Sequence, residues 1–349
     1  MKEVSAAWTA HRNSGDVDWL WNNSCVPQQQ ALRHLGVAYK RFFEGVRAFP
    51  QRKSKRDKQS AEYTKSAFKW DAATRTLNIS FVGELKVKWS REFTSSPSTV
   101  TITKDRAGRY FVTLCLEEAK AELPKTGKQV GIDVGLLFLS VLSSGIKIKN
   151  PRHYRRMERR RIRLSRRLSR RVKGSGRRED QRVKLAKCHA EVADCRKDLL
   201  DKLTTQLVRE YDFIAIEDLH VKGMLKSRRL AKHIACAGWG MFRRMLEYKC
   251  KWYGKTLVVI DRFEPTSKKC SGCGGVVDSL PLDIRNWKCK DCGTEHDRDI
   301  NAAKNILAAG LAVYQAEQAL ELGRGGLHKT TASRSSSRRS VNPSMVVCA

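Results

Sequence analysis

No apolar stretch in this 349-residue chain approaches the roughly 18–20 residues that a membrane-spanning helix needs. The opening segment, Met1 to Trp21, lacks the apolar centre of a secretory signal. No internal repeat is visible. Acidic side chains are scarce: 36 Asp and Glu stand against 69 Lys and Arg, a net charge of +33. Of the eleven cysteines, only four fall in a spaced cluster. Cys25, Cys115, Cys188, Cys195, Cys236, Cys250 and Cys348 are scattered, as small buried residues are in a reducing compartment. These absences disfavour a membrane or secreted disulfide protein and point to the cytoplasm. The charge excess exceeds what solubility needs and indicates a polyanionic partner, because each neutralised phosphate releases a counterion.

The spaced cysteines form two knuckles, Cys270-x2-Cys273 and Cys289-x2-Cys292, fifteen residues apart. A two-residue gap lets both thiolates of a knuckle face one ion, and Gly274 and Gly293 permit the tight turn after each. Four cysteines make a closed tetrahedral zinc site with no position left for water, so the zinc is structural. Trp287, Lys288 and Lys290 lie on this ribbon within reach of nucleic acid.

Apolar periodicity divides the rest. Residues 1–58 read as a helical segment ending in a basic link, with Leu32, Leu35, Tyr39, Phe42 and Phe43 on one face. Over 59–124 short β-like runs, Thr76–Phe81, Glu84–Trp89, Thr99–Thr103 and Tyr110–Leu116, predict an antiparallel module, a small barrel. Residues 125–269 alternate strands and helices, with a basic helical insertion at 151–210. The ribbon occupies 270–293 and a helix 294–320. Residues 321–349, rich in Gly, Ser and Arg, read as a disordered basic tail.

Strands alternating with helices, with acidic groups at their ends, make the pattern of an RNase H-like nuclease core. Two-ion phosphodiester cleavage needs carboxylates converging from distant sequence. Asp133 lies in the apolar run Gln129–Val134, beside Gly131 and Gly135, where an unpaired charge is costly. Glu217 or Asp218 ends a second apolar run, and these neighbours point to opposite faces of a strand. Asp297 or Asp299 opens the last helix. A turn former or a plain N-cap would look the same at any one of these positions.

The third feature is a run of eleven arginines between Arg152 and Arg171 against the single acid Glu158. A charge run is usually a solvated face, but this density repels itself unless phosphates lie nearby. Candidate nucleic-acid contacts are Arg155, Arg156, Arg159, Arg160, Arg163, Arg166, Arg167 and Arg170 here, with Arg52, Lys53, Lys55 and Arg56 in the earlier basic link.

In this order the motifs resemble the TnpB (OrfB) family of insertion-sequence-encoded RNA-guided nucleases, relatives of type V CRISPR effectors. The resemblance covers about residues 26–310. It runs through Phe49-Pro50, Arg52 to Ser60, Gly131-Ile132-Asp133, Ile216-Glu217-Asp218-Leu219, Ala237-Gly238-Trp239-Gly240, Asp261 to Lys268, the ribbon and Asp297 to Ala303. It implies an α+β multidomain protein: a helical recognition segment, a wedge barrel, and a RuvC α/β core interrupted by the zinc ribbon. It places the catalytic triad on Asp133, Glu217 and Asp299. It also implies two catalytic Mg²⁺ ions (with Mn²⁺ as a substitute), a guide RNA from the element's end, and double-stranded target DNA cut by one site. A monomer is favoured. Family members usually begin with a β-strand of the wedge, whereas this chain opens into helix, so the barrel is expected to carry an unpaired edge. Two other functions compete with the RNA-guided endonuclease. One is a non-cutting nucleic-acid-binding regulator of transposition. The other is a strand-joining transposase, for which no Tyr nucleophile with a His pair stands out.

Overall fold

The computed structural model describes residues 2–118, 121–281, 283–325 and 345–348. The chain forms two compact units. One holds 1–119, 171–187 and the C-terminal strand; the other holds 120–170 and 188–335. No helix among the described residues is long and apolar enough to cross a membrane.

The first unit opens with α1 (Lys2–Arg12) and α2 (Cys25–Phe43). The Ser24 hydroxyl caps α2 by accepting from the Val26 amide, and Lys40 and Arg41 lie at its negative C-terminal end. The expected apolar face of α2 holds only in part. Leu32, Tyr39 and Phe42 are half-buried, while Leu35 and Phe43 are exposed. Phe43 instead stacks on Tyr39, with ring centroids 6.4 Å apart.

Six strands follow: β1 (Gln59–Thr64), β2 (Phe68–Asp71), β3 (Thr76–Ile79), β4 (Gly83–Leu85), β5 (Thr99–Lys104) and β6 (Tyr110–Leu116). The β5–β6 hairpin registers Lys104 against Tyr110. Its turn is fixed by Asp105, whose Oδ1 accepts from the amides of Ala107 and Arg109 at 2.8 and 2.9 Å, and by Gly108 at φ +81°. The expected single barrel is corrected. These strands lie in two sheets, β2-β3-β4 and a four-stranded sheet containing β1, β5 and β6. The expected strand over 84–89 ends at Leu85 because Trp89 leaves the ladder. Its ring packs 5.2 Å from Trp70, and its Nε1 donates to the Arg75 carbonyl.

One edge of the four-stranded sheet, that of β6, is covered from the expected disordered tail, which is corrected at this point, while β1 remains an edge strand. Met345–Cys348 forms a strand that pairs antiparallel with β6, Val346 opposite Cys115. A β-branched pair, Val346 and Val347, suits a free sheet edge better than a disordered coil. The terminal helix also continues past residue 320, to Gly325, and residues 326–344 of the expected tail lie outside the described residues.

The second unit is built on a sheet of β7 (Gln129–Asp133), β8 (Phe138–Leu142), β9 (Lys147–Lys149), β10 (Phe213–Glu217) and β11 (Thr256–Ile260), in the order β11-β10-β7-β8-β9. β7, β10 and β11 run parallel, β8 pairs antiparallel with β7, and β9 pairs antiparallel with β8. The near-continuous apolar runs of β7 and β10 follow from burial on both faces. Helices connect and cover the strands: α3 (His153–Ser169), α4 (Gly176–Glu210, whose residues from Cys188 belong to this unit), α5 (Val221–Met224), α6 (Ala231–Ala237), α7 (Trp239–Trp252) and α8 (Arg298–Gly325). On one face Val130, Ile132, Ile214 and Ile216 pack among Leu200, Leu207, Trp239, Phe242 and Leu246. On the other, Phe213, Ala215, Val258 and Ile260 meet Ile306 of α8. Between β11 and α8 lie the cysteine knuckles and the short ribbon β12 (Asn286–Lys288) and β13 (Glu295–Asp297).

Candidate active site

Because β7 and β10 are parallel neighbours with Ile132 opposite Ile216, their carboxyl ends bring Asp133 and Glu217 to the same edge of the sheet. α8 supplies the third acid. A Cβ built on Gly131 would meet the Ala303 carbonyl oxygen at 2.1 Å and the Leu307 amide at 2.5 Å, so only glycine lets α8 lie this close to β7. That approach brings Asp299, in the first turn of α8, to the ends of the strands. Asp133, Glu217 and Asp299 line one cleft of about 320 Å³, with Thr266, Ser267, Arg285 and Arg298.

The cleft's electrostatics follow from this crowding. Burial, then Glu217 and Asp299, push Asp133 up to about 8, against the Val134 amide and Arg298. Burial also raises Glu217, opposed by the Thr266 hydroxyl, which donates to Glu217 Oε1 at 2.5 Å. Asp299 is held by Arg285, whose Nη1 lies 3.0 and 3.3 Å from its two oxygens. Enclosed carboxylates whose charges oppose one another have the chemistry that a hard divalent cation favours. A cation's charge would relieve the repulsion that raises Asp133.

The neighbouring acids have other partners. Asp218 is paired with Arg243 and Arg262, which hold it below the usual carboxylate range. Asp297 caps α8, its Oδ1 accepting from the Ile300 amide at 3.1 Å and its Oδ2 from Lys147 at 2.5 Å. Despite partial burial, these contacts keep it low.

The ligand atoms of Cys270, Cys273, Cys289 and Cys292 all lie within 4.8 Å of one another. Cys270–Cys292 and Cys273–Cys289 sulfurs are 3.7 and 3.6 Å apart. Zinc–sulfur bonds of about 2.3 Å in a tetrahedron require about 3.8 Å, so the cluster fits zinc. Thr294 holds Cys292 down to about 6. Cys273, although the Gly275 amide bonds to it, is pushed up to about 12 by the other three sulfurs. His296, beside the cluster, has its Nε2 3.0 Å from Cys270 Sγ and its ring against Trp287.

The basic candidates are exposed in both units: Arg52, Lys53, Lys55 and Arg56 in the first, and Arg155, Arg156, Arg159, Arg160, Arg163, Arg166, Arg167 and Arg170 in the second. Arg56 approaches Glu179 at 3.9 Å and Arg160 bonds to Glu191 at 3.0 Å. Met157, Ile162, Leu164 and Leu168 form the half-buried stripe of α3. Thr266 falls within the Asp261 to Lys268 motif without a predicted role, and Arg285 falls in no motif, because both act through side-chain contacts between distant segments.

A mixed α/β protein is thereby defined, with three acids at the ends of neighbouring elements and a cluster of four cysteines able to hold a metal ion. Residues 239–306 match the family model "Cas12f1-like, TNB domain", and residues 113–228 match OrfB_IS605, "Probable transposase". A "Putative RNA-guided DNA endonuclease" of Streptomyces pristinaespiralis is 49% identical over 313 residues, 89% of this chain and 77% of that protein. InsQ of Escherichia coli K12, described in the same words, is 30% identical over 336 residues, 91% and 83% of the two chains. A Cas12f1 chain from an sgRNA–target DNA complex shares the fold, with a TM-score of 0.52 at 16% identity over 76% of this chain and 67% of that one. The chain belongs to the TnpB (OrfB) family.

Proposed function

We propose that the protein is an RNA-guided, Mg²⁺-dependent DNA endonuclease of a transposable element, cutting its target with one RuvC-like site. The observation that carries this reading is the convergence of Asp133, Glu217 and Asp299 on one cleft, with Asp133 pushed up to about 8. Asp133, Glu217 and Asp299 would hold magnesium, which when bound activates the attacking water and stabilises the leaving oxygen. Asp133 and Glu217 offer oxygens from rigid strand ends, and Asp299 from a helix start that backbone packing fixes. Thr266 orients Glu217. Arg285 neutralises Asp299 and competes with a cation for it. The exposed arginines of α3 and the basic link supply phosphate contacts for guide RNA and target DNA, and the cysteine ribbon holds structural zinc.

The relatives' names and the charge of +33 support nucleic-acid partners. The test is cleavage of a matched double-stranded target by purified protein carrying its co-purified RNA. Mg²⁺ or Mn²⁺ should support cutting, while the larger Ca²⁺ should permit binding alone. Intact target with guide bound and Mg²⁺ present would favour the non-cutting regulator.

A further inference from the structure

The segment joining β11 to the first cysteine knuckle is tied at one end to an acid of the cleft and at the other to the cluster. Thr266, 5% exposed, donates its hydroxyl to Glu217. Three residues on, the Lys269 carbonyl receives two side-chain amides from α8: Asn301 Nδ2 at 2.7 Å and Asn305 Nδ2 at 2.6 Å. Asn305 Nδ2 also reaches the Thr266 carbonyl at 2.8 Å, and the Ser271 amide donates to Asn301 Oδ1 at 2.9 Å. Both asparagines are buried, at 1% and 6% exposure. Two buried amides spent on one backbone segment make a costly arrangement unless each bond is kept. They sit on the helix whose first turn carries Asp299. Ser271 lies between Cys270 and Cys273, so the knuckle's backbone is part of the same lattice of bonds.

We propose that Thr266 is a positioning residue for Glu217, and that residues 266–271, clamped by Asn301 and Asn305, couple the cysteine cluster to the acidic cleft, so that zinc in the ribbon tightens binding of the catalytic divalent cation. The proposal rests on the reading of Asp133, Glu217 and Asp299 as a cation site. With the knuckle closed on zinc, Ser271 and Lys269 stay where Asn301 and Asn305 can grip them. Thr266 then holds one oxygen of Glu217 and leaves the other turned to the cleft. With the knuckle open, the grip loosens and Glu217 is free to rotate. Partners of this kind are typically worth about 10- to 100-fold in metal affinity. Coupling between two binding sites is reciprocal, so a cation in the cleft must tighten zinc by the factor by which zinc tightens the cation.

Mn²⁺ affinity of the full-length zinc-loaded chain is read from free Mn²⁺ by electron paramagnetic resonance. Thr266→Val should weaken it about tenfold, and Thr266→Ser, which keeps the hydroxyl, should restore it. Zinc content and melting temperature report whether each variant is folded. Zinc affinity is then measured by competition with 4-(2-pyridylazo)resorcinol. Saturating Mg²⁺ should tighten it in the wild type and leave it unchanged in Thr266→Val. A folded Thr266→Val with wild-type Mn²⁺ affinity overturns the positioning role, and wild-type zinc affinity indifferent to Mg²⁺ overturns the coupling. The second arm needs no variant, so it decides even if Thr266→Val fails to fold. Asp133→Asn separates this inference from its foundation. If Asp133→Asn loses Mn²⁺ and Thr266→Val does not, only the inference fails; if Asp133→Asn also binds Mn²⁺ normally, the cleft is no cation site.

Discussion

Gly131 and Ala303 meet backbone to backbone: a methyl group on Gly131 would lie 2.1 Å from the Ala303 carbonyl oxygen. Two residues beyond Gly131 stands Asp133, and four residues before Ala303 stands Asp299. The spacing of β7 and α8 therefore sets the spacing of two candidate metal ligands. Gly131→Ala should force the helix off the sheet, with an overpacking cost of about 1–3 kcal/mol. Cleavage should fall much further than that loss of stability explains. Denaturant unfolding and single-turnover cutting, run on the same preparation, check it.

Loss of Asp133, Glu217 or Asp299 should each abolish cutting while nucleic-acid binding stays near wild type. Double variants should be no worse than single ones, since groups that hold one site act as a unit. Asp218→Ala and Asp297→Ala are the controls. Asp297→Ala removes the α8 cap and the Lys147 contact, so it should destabilise by about 1 kcal/mol yet still cut. If Asp297→Ala is inactive and Asp299→Ala is active, the third ligand is misassigned.

Stability should depend on pH through Asp133. Its folded value, about 8, lies above its unfolded value of about 3.9. Between those limits the unfolded chain binds fewer protons, so stability falls as pH rises, by at most about 1.4 kcal/mol per pH unit. Below and above that window the contribution is flat. Melting temperatures from pH 5 to 8 without added divalent cation should show the decline. Asp133→Asn should flatten it, and Mg²⁺ should offset it most at the alkaline end.

Arg285→Ala should free both oxygens of Asp299 and remove a positive charge from the cleft. The concentration of Mn²⁺ needed for half-saturation should drop several-fold. Weaker binding in the variant would mean that Arg285 organises the cleft instead of competing with the cation.

The exposed arginines of α3 should contribute affinity that is sensitive to salt and indifferent to sequence. Replacing Arg159, Arg160, Arg166 and Arg167 with Ala should flatten the plot of log affinity against log salt. The slope should fall by about 0.7–0.9 for each phosphate that is no longer neutralised. An unaltered slope would leave these side chains as a solvated face.

Features that depend on neighbours in sequence are the legible ones. The cysteine knuckles are set by local spacing, β11 by a run of β-branched residues, and the break between α3 and α4 by Gly174, at φ +89°. Asp133 can be singled out because a charge in an apolar strand between glycines is anomalous within a few residues. Strands β1 and β2 carry no such local signal, since Gln59–Thr64 and Phe68–Asp71 owe their extension to distant partners. The Thr266–Glu217 bond, Arg285 on Asp299 and the terminal strand on β6 join segments far apart along the chain, and no periodicity encodes them. Leu35 and Phe43 fit a helical face by their spacing, yet both are exposed.

The arrival of Asp299 on α8, after both strand-end acids, also bears on the order in which the protein is made. A chain emerging from the ribosome carries Asp133 and Glu217 long before the helix that completes the cleft. Folding proceeds from the N-terminal end during synthesis, so a stalled or prematurely ended product stopping ahead of α8 has two of the three acids and no seat for Asp299. On the reading proposed above, such a product holds an incomplete cation site, and the cleft closes only once α8 has been made.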